Sequence, residues 1–245
     1  MPLLSIEDAT VTFGGLHALE GVNLEVEAGR VGGLIGPNGA GKTTLFNVIT
    51  GLQDTSRGRV TLDGRDISKL HTHERARLGL ARTFQRLEVF GSLTAKENLL
   101  TAAEIRKSWA RDRSDTPAVA EEILDRVGLR DVADEQVDKL PTGMARLVEL
   151  GRALATRPKV LLLDEPSSGL DERESVVFGD LLLALAAEGL AILLVEHDVQ
   201  LVMTVCRHIH VLDFGMIIAS GSPDSVQRDP HVQAAYLGTV EVTGA

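Results

Sequence analysis

A glycine-rich segment near the start of the chain has the residue types and spacing of a phosphate-binding loop. It fits the pattern G-x-x-x-x-G-K-[ST], and its nine residues are Gly36, Pro37, Asn38, Gly39, Ala40, Gly41, Lys42, Thr43 and Thr44. Glycine has no Cβ, so the backbone N–H groups of such a loop can turn inward around phosphate oxygens. The pattern assigns the Lys42 amine to the β- and γ-phosphates and the Thr43 hydroxyl to Mg²⁺. We therefore expect the chain to bind a nucleoside triphosphate together with magnesium.

Two adjacent carboxylates close an apolar run later in the chain, in Leu161-Leu-Leu-Asp164-Glu165-Pro166. We expect Asp164 to hold the Mg²⁺ shell, as the strand-end aspartate does in phosphate-loop enzymes. Glu165 would then face the attacking water as general base. The alternative is a pair of capping acids, which is disfavoured because an apolar run that ends in Asp-Glu is a poor surface pattern and a good site pattern.

A histidine follows the next apolar run, in Leu193-Leu-Val-Glu-His197-Asp198. If both runs are parallel strands, His197 and Asp164 share the carboxyl edge of the sheet, where ligands bind. A histidine there could contact the γ-phosphate and orient water. The pairs His71-Thr-His73 and His208-Ile-His210 have no cysteine or acidic cluster beside them, which disfavours a metal site at either.

Short apolar runs and one helix start supply the elements that would position these residues. Val31–Ile35 predicts a strand before the loop and Lys42–Thr50 a helix after it, so the phosphates would lie at a helix N-terminus. Val160–Leu163 and Ala191–Val195 are solid apolar runs, typical of central parallel strands. Val176–Leu185 between them predicts the crossover helix of a βαβ unit.

The flanking segments have a different character. Leu3–Phe13 and Arg59–Leu62 predict strands, and the alternation over 22–26 predicts a half-buried one, so the opening of the chain is antiparallel in pattern. From about Leu87 to Arg157 the pattern turns helical. Two apolar stripes there predict helix-packing faces; they consist of Val119, Ile123 and Val127, and of Leu147, Leu150 and Leu154.

Composition limits the class of protein. A chain of 245 residues that is 44% hydrophobic can build one large α/β domain. Its net charge of −10 gives no basic face for a nucleic-acid partner. Cys206 lies in an apolar run, which predicts a buried thiol. No signal peptide opens the sequence, and the longest apolar stretch, Leu181–Val195, is too short to span a bilayer, so we expect a cytoplasmic protein that reaches a membrane only through a partner.

Together these motifs resemble the nucleotide-binding subunit of an ABC transporter over nearly the whole chain. The resemblance implies ATP as the nucleotide, with Gly36–Thr44 as the Walker A loop and Asp164-Glu165 as Walker B with its catalytic glutamate. It also implies roles for four further residues: Phe13 stacks on adenine, Gln85 senses Mg²⁺ and the transmembrane partner, Asp171 belongs to the D-loop, and His197 is the switch histidine.

The same resemblance implies an architecture. This is an α/β P-loop NTPase fold of the ABC type, with a mostly parallel sheet, an N-terminal antiparallel β-subdomain and an inserted α-helical subdomain. We expect one ABC ATPase domain over 1–245. The RecA-like core and the β-subdomain would occupy 1–86 and 158–245, and the helical subdomain with the signature motif would occupy 87–157.

Within the family the chain looks most like the ATPases of branched-chain amino acid importers. The stretches that carry this likeness are Phe13-Gly-Gly-Leu-His-Ala18, Ala81-Arg-Thr-Phe-Gln-Arg-Leu87, Glu196-His-Asp-Val-Gln-Leu-Val202 and Ala235-Tyr-Leu-Gly238. The likeness implies transmembrane permease subunits, a second ABC ATPase subunit and, indirectly, a periplasmic or extracellular substrate-binding protein. It also implies a peripheral position on the inner face of the membrane and uptake of branched-chain or other hydrophobic amino acids.

One motif departs from the family pattern. The signature Leu-Ser-Gly-Gly-Gln is here Leu140-Pro141-Thr142-Gly143-Met144, which lacks the serine hydroxyl expected at the γ-phosphate. The signature acts in trans across a dimer, so Gly143 would approach the nucleotide of a partner. We hypothesise an asymmetric heterodimer with one better and one poorer site; a homodimer remains open.

Other functions remain as alternatives. The lipopolysaccharide-export ATPase is a near relative that shares the tail pattern, so lipid or lipopolysaccharide export is one of them. A weakly hydrolysing regulatory ABC subunit is another, since the altered signature permits it. An ABC ATPase of DNA repair or chromosome structure is disfavoured, because those proteins carry a long heptad insertion that this sequence lacks.

Overall fold

Ten strands and nine helices position the candidate residues in the part of the chain that the computed structural model describes, residues 2–110 and 113–237. The strands are β1 (Leu4–Phe13), β2 (Leu16–Val26), β3 (Val31–Ile35), β4 (Arg57–Leu62), β5 (Arg65–Asp66), β6 (Leu80–Arg82), β7 (Val160–Asp164), β8 (Ala191–Val195), β9 (His208–Asp213) and β10 (Met216–Gly221). The helices are α1 (Lys42–Thr50), α2 (Thr72–Arg77), α3 (Ala95–Ala110), α4 (Thr116–Arg126), α5 (Thr142–Ala155), α6 (Glu172–Ala187), α7 (Val199–Val205), α8 (Pro223–Gln227) and α9 (Pro230–Leu237).

The strands form two sheets. The larger sheet has the order β10-β9-β3-β8-β7-β6, and all its neighbouring strands are parallel except β10, which runs antiparallel to β9. The smaller sheet has the order β2-β1-β4-β5 and is antiparallel. The expected combination of a mostly parallel sheet, an N-terminal antiparallel sheet and added helices is therefore confirmed.

The central strands are buried on both faces, and their alternate residues enter two separate cores. In β7, Leu161 and Leu163 pack with the helices α3 to α7, whereas Val160 and Leu162 pack with α1 and the smaller sheet. Successive strand residues point to opposite faces, so a continuous apolar run is what a strand between two layers requires. This burial explains why β3, β7 and β8 contain only apolar residues and glycine until the Asp164 carboxylate ends β7.

Four of the eight predicted elements are longer in the structure, and β3, α1 and β8 have the predicted bounds. The crossover helix predicted over Val176–Leu185 is α6, which starts earlier because Asp171 and Glu174 form a reciprocal capping box. Helices α3, α4 and α5 fall inside 87–157; those domain boundaries stay a prediction. Strand β6 and the hairpin of β9 and β10 were not predicted. In the tail Ala235–Gly238, Gly238 lies outside the described residues.

Cys206 follows α7 and is buried, as predicted. Its side chain belongs to the core on the α6 and α7 side of the larger sheet. Burial raises the pKa of this thiol to about 12, because the thiolate would lose its hydration there. Such a thiol is a poor nucleophile near neutral pH.

His210 should make the folded chain sensitive to acid. It is 6% exposed in β9, and burial lowers its pKa to about 4, with the neighbouring His208 acting in the same direction. The unfolded chain takes up this proton near the ordinary histidine pKa, so stability is present above about pH 6.5 and falls as the pH drops towards 4. Between these two pH limits the free energy of unfolding changes by about 3 kcal/mol, since each unit of pKa difference is worth about 1.4 kcal/mol.

For each protein the urea midpoint of unfolding is measured at about pH 7 and at about pH 4.5. We expect the midpoint to drop less on acidification in His210→Leu than in the parent, because leucine takes up no proton. The exposed His73→Leu serves as the matched control and should follow the parent. Equal losses of stability in the parent and His210→Leu would contradict this assignment.

Candidate nucleotide-binding and catalytic site

The phosphate loop joins β3 to α1, and the fold itself requires its glycines. Gly36 has φ +154°, and a Cβ there would lie 2.0 Å from the Leu212 carbonyl oxygen of β9. Gly41 has φ +109°, and its Cβ would lie 2.7 Å from the Ala18 carbonyl oxygen. Gly41 is also the N-cap of α1 and offers no side-chain cap, so the first N–H groups of the helix remain free for an anion.

Lys42 is the buried cation of the loop. Its side chain is largely enclosed, and Nζ donates to the carbonyl oxygens of Gly36 at 2.6 Å and Pro37 at 3.0 Å. Burial lowers the pKa of Lys42, while the carboxylates of Glu165 and Asp164 oppose that change. The loop therefore wraps around an ammonium group that lies beside two carboxylates.

A cavity of about 280 Å³ brings the predicted groups together. It is lined by Asn38, Gly39, Ala40, Gly41, Lys42, Thr43, Thr44, Gln85, Asp164, Glu165 and Val195. A Cβ on Gly39 would meet nothing within 4 Å, so the tip of the loop is open. The cavity thus combines backbone donors, one ammonium group and two carboxylates, which is the chemistry that a bound triphosphate requires.

Glu165 is the centre of a polar cluster at this cavity. Its Oε1 lies 2.9 Å from His197 Nε2, and Gln85 Nε2 donates to both carboxylate oxygens at 3.2 and 3.3 Å. Its backbone has φ +51°, a left-handed conformation that costs about 1–2 kcal/mol for a residue with a Cβ. Such strain at a polar cluster is common where a side chain has to be held in a functional direction.

Asp164 lies deeper than Glu165 and is 3% exposed. Its Oδ2 accepts a hydrogen bond from Arg82 Nη2 at 2.8 Å, and its backbone N–H donates to Thr83 Oγ1 at 3.2 Å. The parallel register pairs Asp164 with Val195, so both strands end at one edge, and His197 follows two residues later. The structure therefore brings together the two carboxylates and the histidine that the sequence placed at this edge.

The oxygen groups near the loop suit a magnesium ion. Thr43 offers a hydroxyl, Asp164 a carboxylate, and Gln85 an amide oxygen that its contact with Glu165 leaves unused. All three line the same cavity, and hard oxygen ligands are those that Mg²⁺ prefers. The residues present therefore fit the ion that the loop motif predicts.

Three predicted site residues lie away from this cavity. Phe13 ends β1 and is 49% exposed. Asp171 caps α6 by accepting from the Glu174 N–H at 2.8 Å, and Gly143 lies in the first turn of α5. A Cβ on Gly143 would lie 2.6 Å from Leu170 Cδ2, so this glycine packs on the segment of its own chain just before α6. The roles of these residues towards nucleotide stay predictions.

Sequence reasoning missed a buried ion pair that holds the segment after β6. Arg146 of α5 donates to the Phe84 carbonyl at 2.8 Å and also contacts the Gln85 carbonyl, while Glu149 accepts the N–H groups of Phe84 and Glu88, each at 3.2 Å. Burial raises the pKa of Glu149 more than these donors lower it. The available signal was a base and an acid three residues apart on the mostly apolar helix α5, which carries Arg152 as a third charge.

Comparison with known proteins agrees with this geometry. The family model described as ABC transporter matches residues 19–168, more than half of the chain, and covers the loop, Gln85 and both carboxylates. The chain belongs to the ABC transporter family. A second model, described as branched-chain amino acid ATP-binding cassette transporter, matches residues 216–242.

Curated relatives of this ABC ATPase span nearly its whole length. The high-affinity branched-chain amino acid transport ATP-binding protein BraF of Pseudomonas aeruginosa is 41% identical over 97% of this chain and 98% of its own. LivG of Escherichia coli, described in the same words, is 37% identical over the same shares. The lipopolysaccharide export system ATP-binding protein LptB of Escherichia coli is 33% identical, again over 97% and 98%.

Solved structures of ABC cassettes match the fold. One ATP-binding cassette of an ABC transporter superposes with a TM-score of 0.87 at 34% identity, covering 96% of this chain and 99% of its own. A dimeric bacterial ABC transporter cassette superposes with a TM-score of 0.80 at 26% identity, covering 90% and 98%. The chain is therefore an ATP-hydrolysing subunit of a transporter. Among the described residues, no helix is long and apolar enough to cross a membrane.

Proposed function

We propose that this ABC ATPase hydrolyses ATP to power uptake of branched-chain or other hydrophobic amino acids. Its similarity to BraF and LivG extends over 97% of the chain, and a branched-chain amino acid transporter model matches its C-terminal region. LptB, which stands for the export alternative, is less similar. The higher identity to BraF and LivG and the match of the C-terminal family model favour the import of amino acids over the export of lipopolysaccharide.

The observation that carries the hydrolytic role is the contact of Glu165 with both Gln85 and His197 beside the phosphate loop. Glu165 would orient the attacking water and accept its proton, and His197 would hold the Glu165 carboxylate in place. Lys42 and the free N–H groups of the first turn of α1 would stabilise the phosphate charge that develops during the reaction.

Magnesium would complete the charge balance at the phosphates. Thr43, Gln85 and Asp164 would hold the ion. The ion would neutralise the part of the negative charge on the phosphate oxygens that Lys42 alone cannot neutralise. Phe13 would stack on the adenine ring and Asp171 would act from the D-loop, as the family resemblance implies. The exposed ring of Phe13 is consistent with this role.

A second ATPase subunit would supply the signature to this chain's loop, and this chain's Gly143 would face the partner's nucleotide. Pro141 is the N-cap of α5 without a side-chain hydrogen bond, so the N-terminus of that helix offers backbone donors but no serine hydroxyl. The divergent signature and the intact Glu165 cluster together favour the asymmetric heterodimer. The purified chain alone should then hydrolyse ATP slowly; rapid and cooperative turnover would contradict the asymmetry.

A permease would dock on a groove between the larger sheet and the helices α3 and α5. This groove holds about 410 Å³, and its wall includes Leu52, Phe84, Ile105 and Trp109. Leu52 and Ile105 are 55% and 56% exposed, which is unusual for large apolar side chains and favours a protein partner. Docking here would hold the ATPase at the inner face of the membrane, and a substrate-binding protein would act only through the permease.

The test is to assemble the chain with its co-purified permease and second ATPase, and to measure ATP turnover while varying the cargo. Leucine, isoleucine or valine, added with the substrate-binding protein, should stimulate turnover several-fold. Stimulation by lipopolysaccharide and not by amino acids would contradict the import function. An assembly whose turnover never rises above that of the isolated chain would favour the regulatory alternative.

A further inference from the structure

Arg82 is a buried arginine that the hydrolytic mechanism above does not use. It ends β6 and belongs to the Arg-Thr-Phe-Gln stretch, three residues before Gln85. Its side chain is 5% exposed, as is that of its ion-pair partner Asp164. A buried arginine normally needs a full set of partners, because an unpaired charge loses its hydration without compensation.

Each part of the Arg82 guanidinium contacts a different element. Nη2 donates to Asp164 Oδ2 at 2.8 Å, Nη1 donates to Asn47 Oδ1 on α1 at 2.6 Å, and Nε donates to the Thr83 carbonyl at 3.2 Å. The guanidinium carbon also lies 5.2 Å from the centre of the Phe46 ring and 4.8 Å from that of Phe84. Both distances suit cation–π contact.

The contacts of Arg82 connect the phosphate cavity, where Asp164 lies, with the apolar groove proposed for the permease. The ion pair uses Oδ2 of Asp164, so Oδ1 remains for a metal ligand. Phe84 is 38% exposed and forms part of the wall of the groove that also contains Leu52 and Trp109. Arg82 itself lines that groove, so one side chain contacts both the groove wall and a carboxylate of the phosphate cavity.

We propose that Arg82 is a positioning residue that orients Asp164 for magnesium and makes that orientation depend on Phe84. The inference rests on the proposed role of Asp164 in holding the ion. Partners that fix a metal ligand typically change metal affinity by about 10–100-fold when they are removed. Lysine cannot replace Arg82, because one ammonium group cannot reproduce the planar fork that serves Asn47 and Asp164 together.

The test measures the magnesium requirement of nucleotide binding, not of turnover. A fluorescent ATP analogue is bound to the full chain, and MgCl₂ is titrated in. We expect the half-saturating Mg²⁺ concentration to rise by about tenfold or more in Arg82→Gln. Phe84→Leu should raise it by about two- to fivefold, because leucine keeps the apolar contact and loses the cation–π contact. Arg77→Gln, an exposed arginine on α2, should match the parent.

The double variant decides whether the two effects share one route. Once Arg82→Gln is present, Phe84→Leu should add nothing, whereas independent effects would multiply and would overturn the link. If the half-saturating Mg²⁺ concentration of Arg82→Gln lies within about twofold of the parent's, the positioning role is overturned. If Arg82→Gln does not fold, Arg82→Lys takes its place, and an unchanged half-saturation in that variant overturns the proposal in the same way.

Failure of the proposed function gives a different result. In that case the parent's nucleotide binding would not depend on magnesium, or Asp164→Asn would leave that dependence unchanged. Either outcome would overturn the role of Asp164 and this inference with it. A parent that depends on magnesium through Asp164, with an Arg82→Gln variant that behaves like it, would overturn the inference on Arg82 alone.

Discussion

Glu165→Gln is expected to remove most ATP turnover and to leave ATP binding intact. Glutamine keeps the size of the side chain and can still contact Gln85 and His197, but it cannot accept a proton from water. A general base of this kind contributes about 10²–10⁴-fold to the rate. Turnover of the assembled transporter should therefore fall by at least about a hundredfold, as followed by phosphate release.

Nucleotide affinity is the matched readout for Glu165→Gln. The dissociation constant of ATP should stay close to that of the parent, since the phosphate-binding loop is unchanged. Glu20→Gln, an exposed residue of β2, removes the same charge and should leave both quantities unaltered. Near-full hydrolysis in Glu165→Gln would refute the assigned role.

Lys42→Ala is expected to weaken ATP binding and to abolish turnover. Lys42 is the buried cation of the loop, and its Nζ also bridges the carbonyl oxygens of Gly36 and Pro37. Removal of the ammonium group leaves the phosphates facing the Asp164 and Glu165 carboxylates with no side-chain cation of the loop between them. We expect ATP affinity to fall by more than about tenfold and turnover to fall below detection, because a charge-assisted contact contributes about 1.5–3 kcal/mol.

Two measurements separate this effect from misfolding. Lys69→Ala removes an exposed lysine and should keep parental affinity, and thermal melting should show Lys42→Ala folded without ATP. Parental ATP affinity in a folded Lys42→Ala would contradict the role of the loop. Glu165→Gln should bind ATP with parental affinity and lose turnover, whereas Lys42→Ala should lose both affinity and turnover, so the pair distinguishes catalysis from binding in one site.

The phosphate loop and the strand-end carboxylates could be predicted because their chemistry depends on local spacing. Gly36–Thr44 contains the turn, the cation and the helix start within nine residues, and the apolar run before Asp164 indicates a central strand. The position of His197 followed from the parallel arrangement of β7 and β8, since both strands end at one edge. Among the residues that line the cavity, Gln85 needed the family resemblance, because no local pattern marks a loop glutamine.

The contacts around Arg82, Arg146 and Glu149 could not be predicted. Each joins segments far apart in the chain, such as Arg82 with Asp164, and nothing local in the sequence fixes such a pairing. The hairpin of β9 and β10 was missed because its residues alternate weakly and place polar groups such as His210 inside. Tertiary burial overrides local pattern in both cases.

Transport in sealed vesicles tests the proposed function most directly. The assembled transporter is placed in proteoliposomes with ATP enclosed on the ATPase side and the substrate-binding protein outside. Entry of labelled leucine is followed with the parental or the Glu165→Gln chain in this subunit only. We expect ATP-dependent uptake with the parent and uptake slower by at least about a hundredfold with Glu165→Gln, as the loss of a general base implies. Leucine uptake that continues unchanged with Glu165→Gln, or no leucine uptake with the parent, would contradict the account.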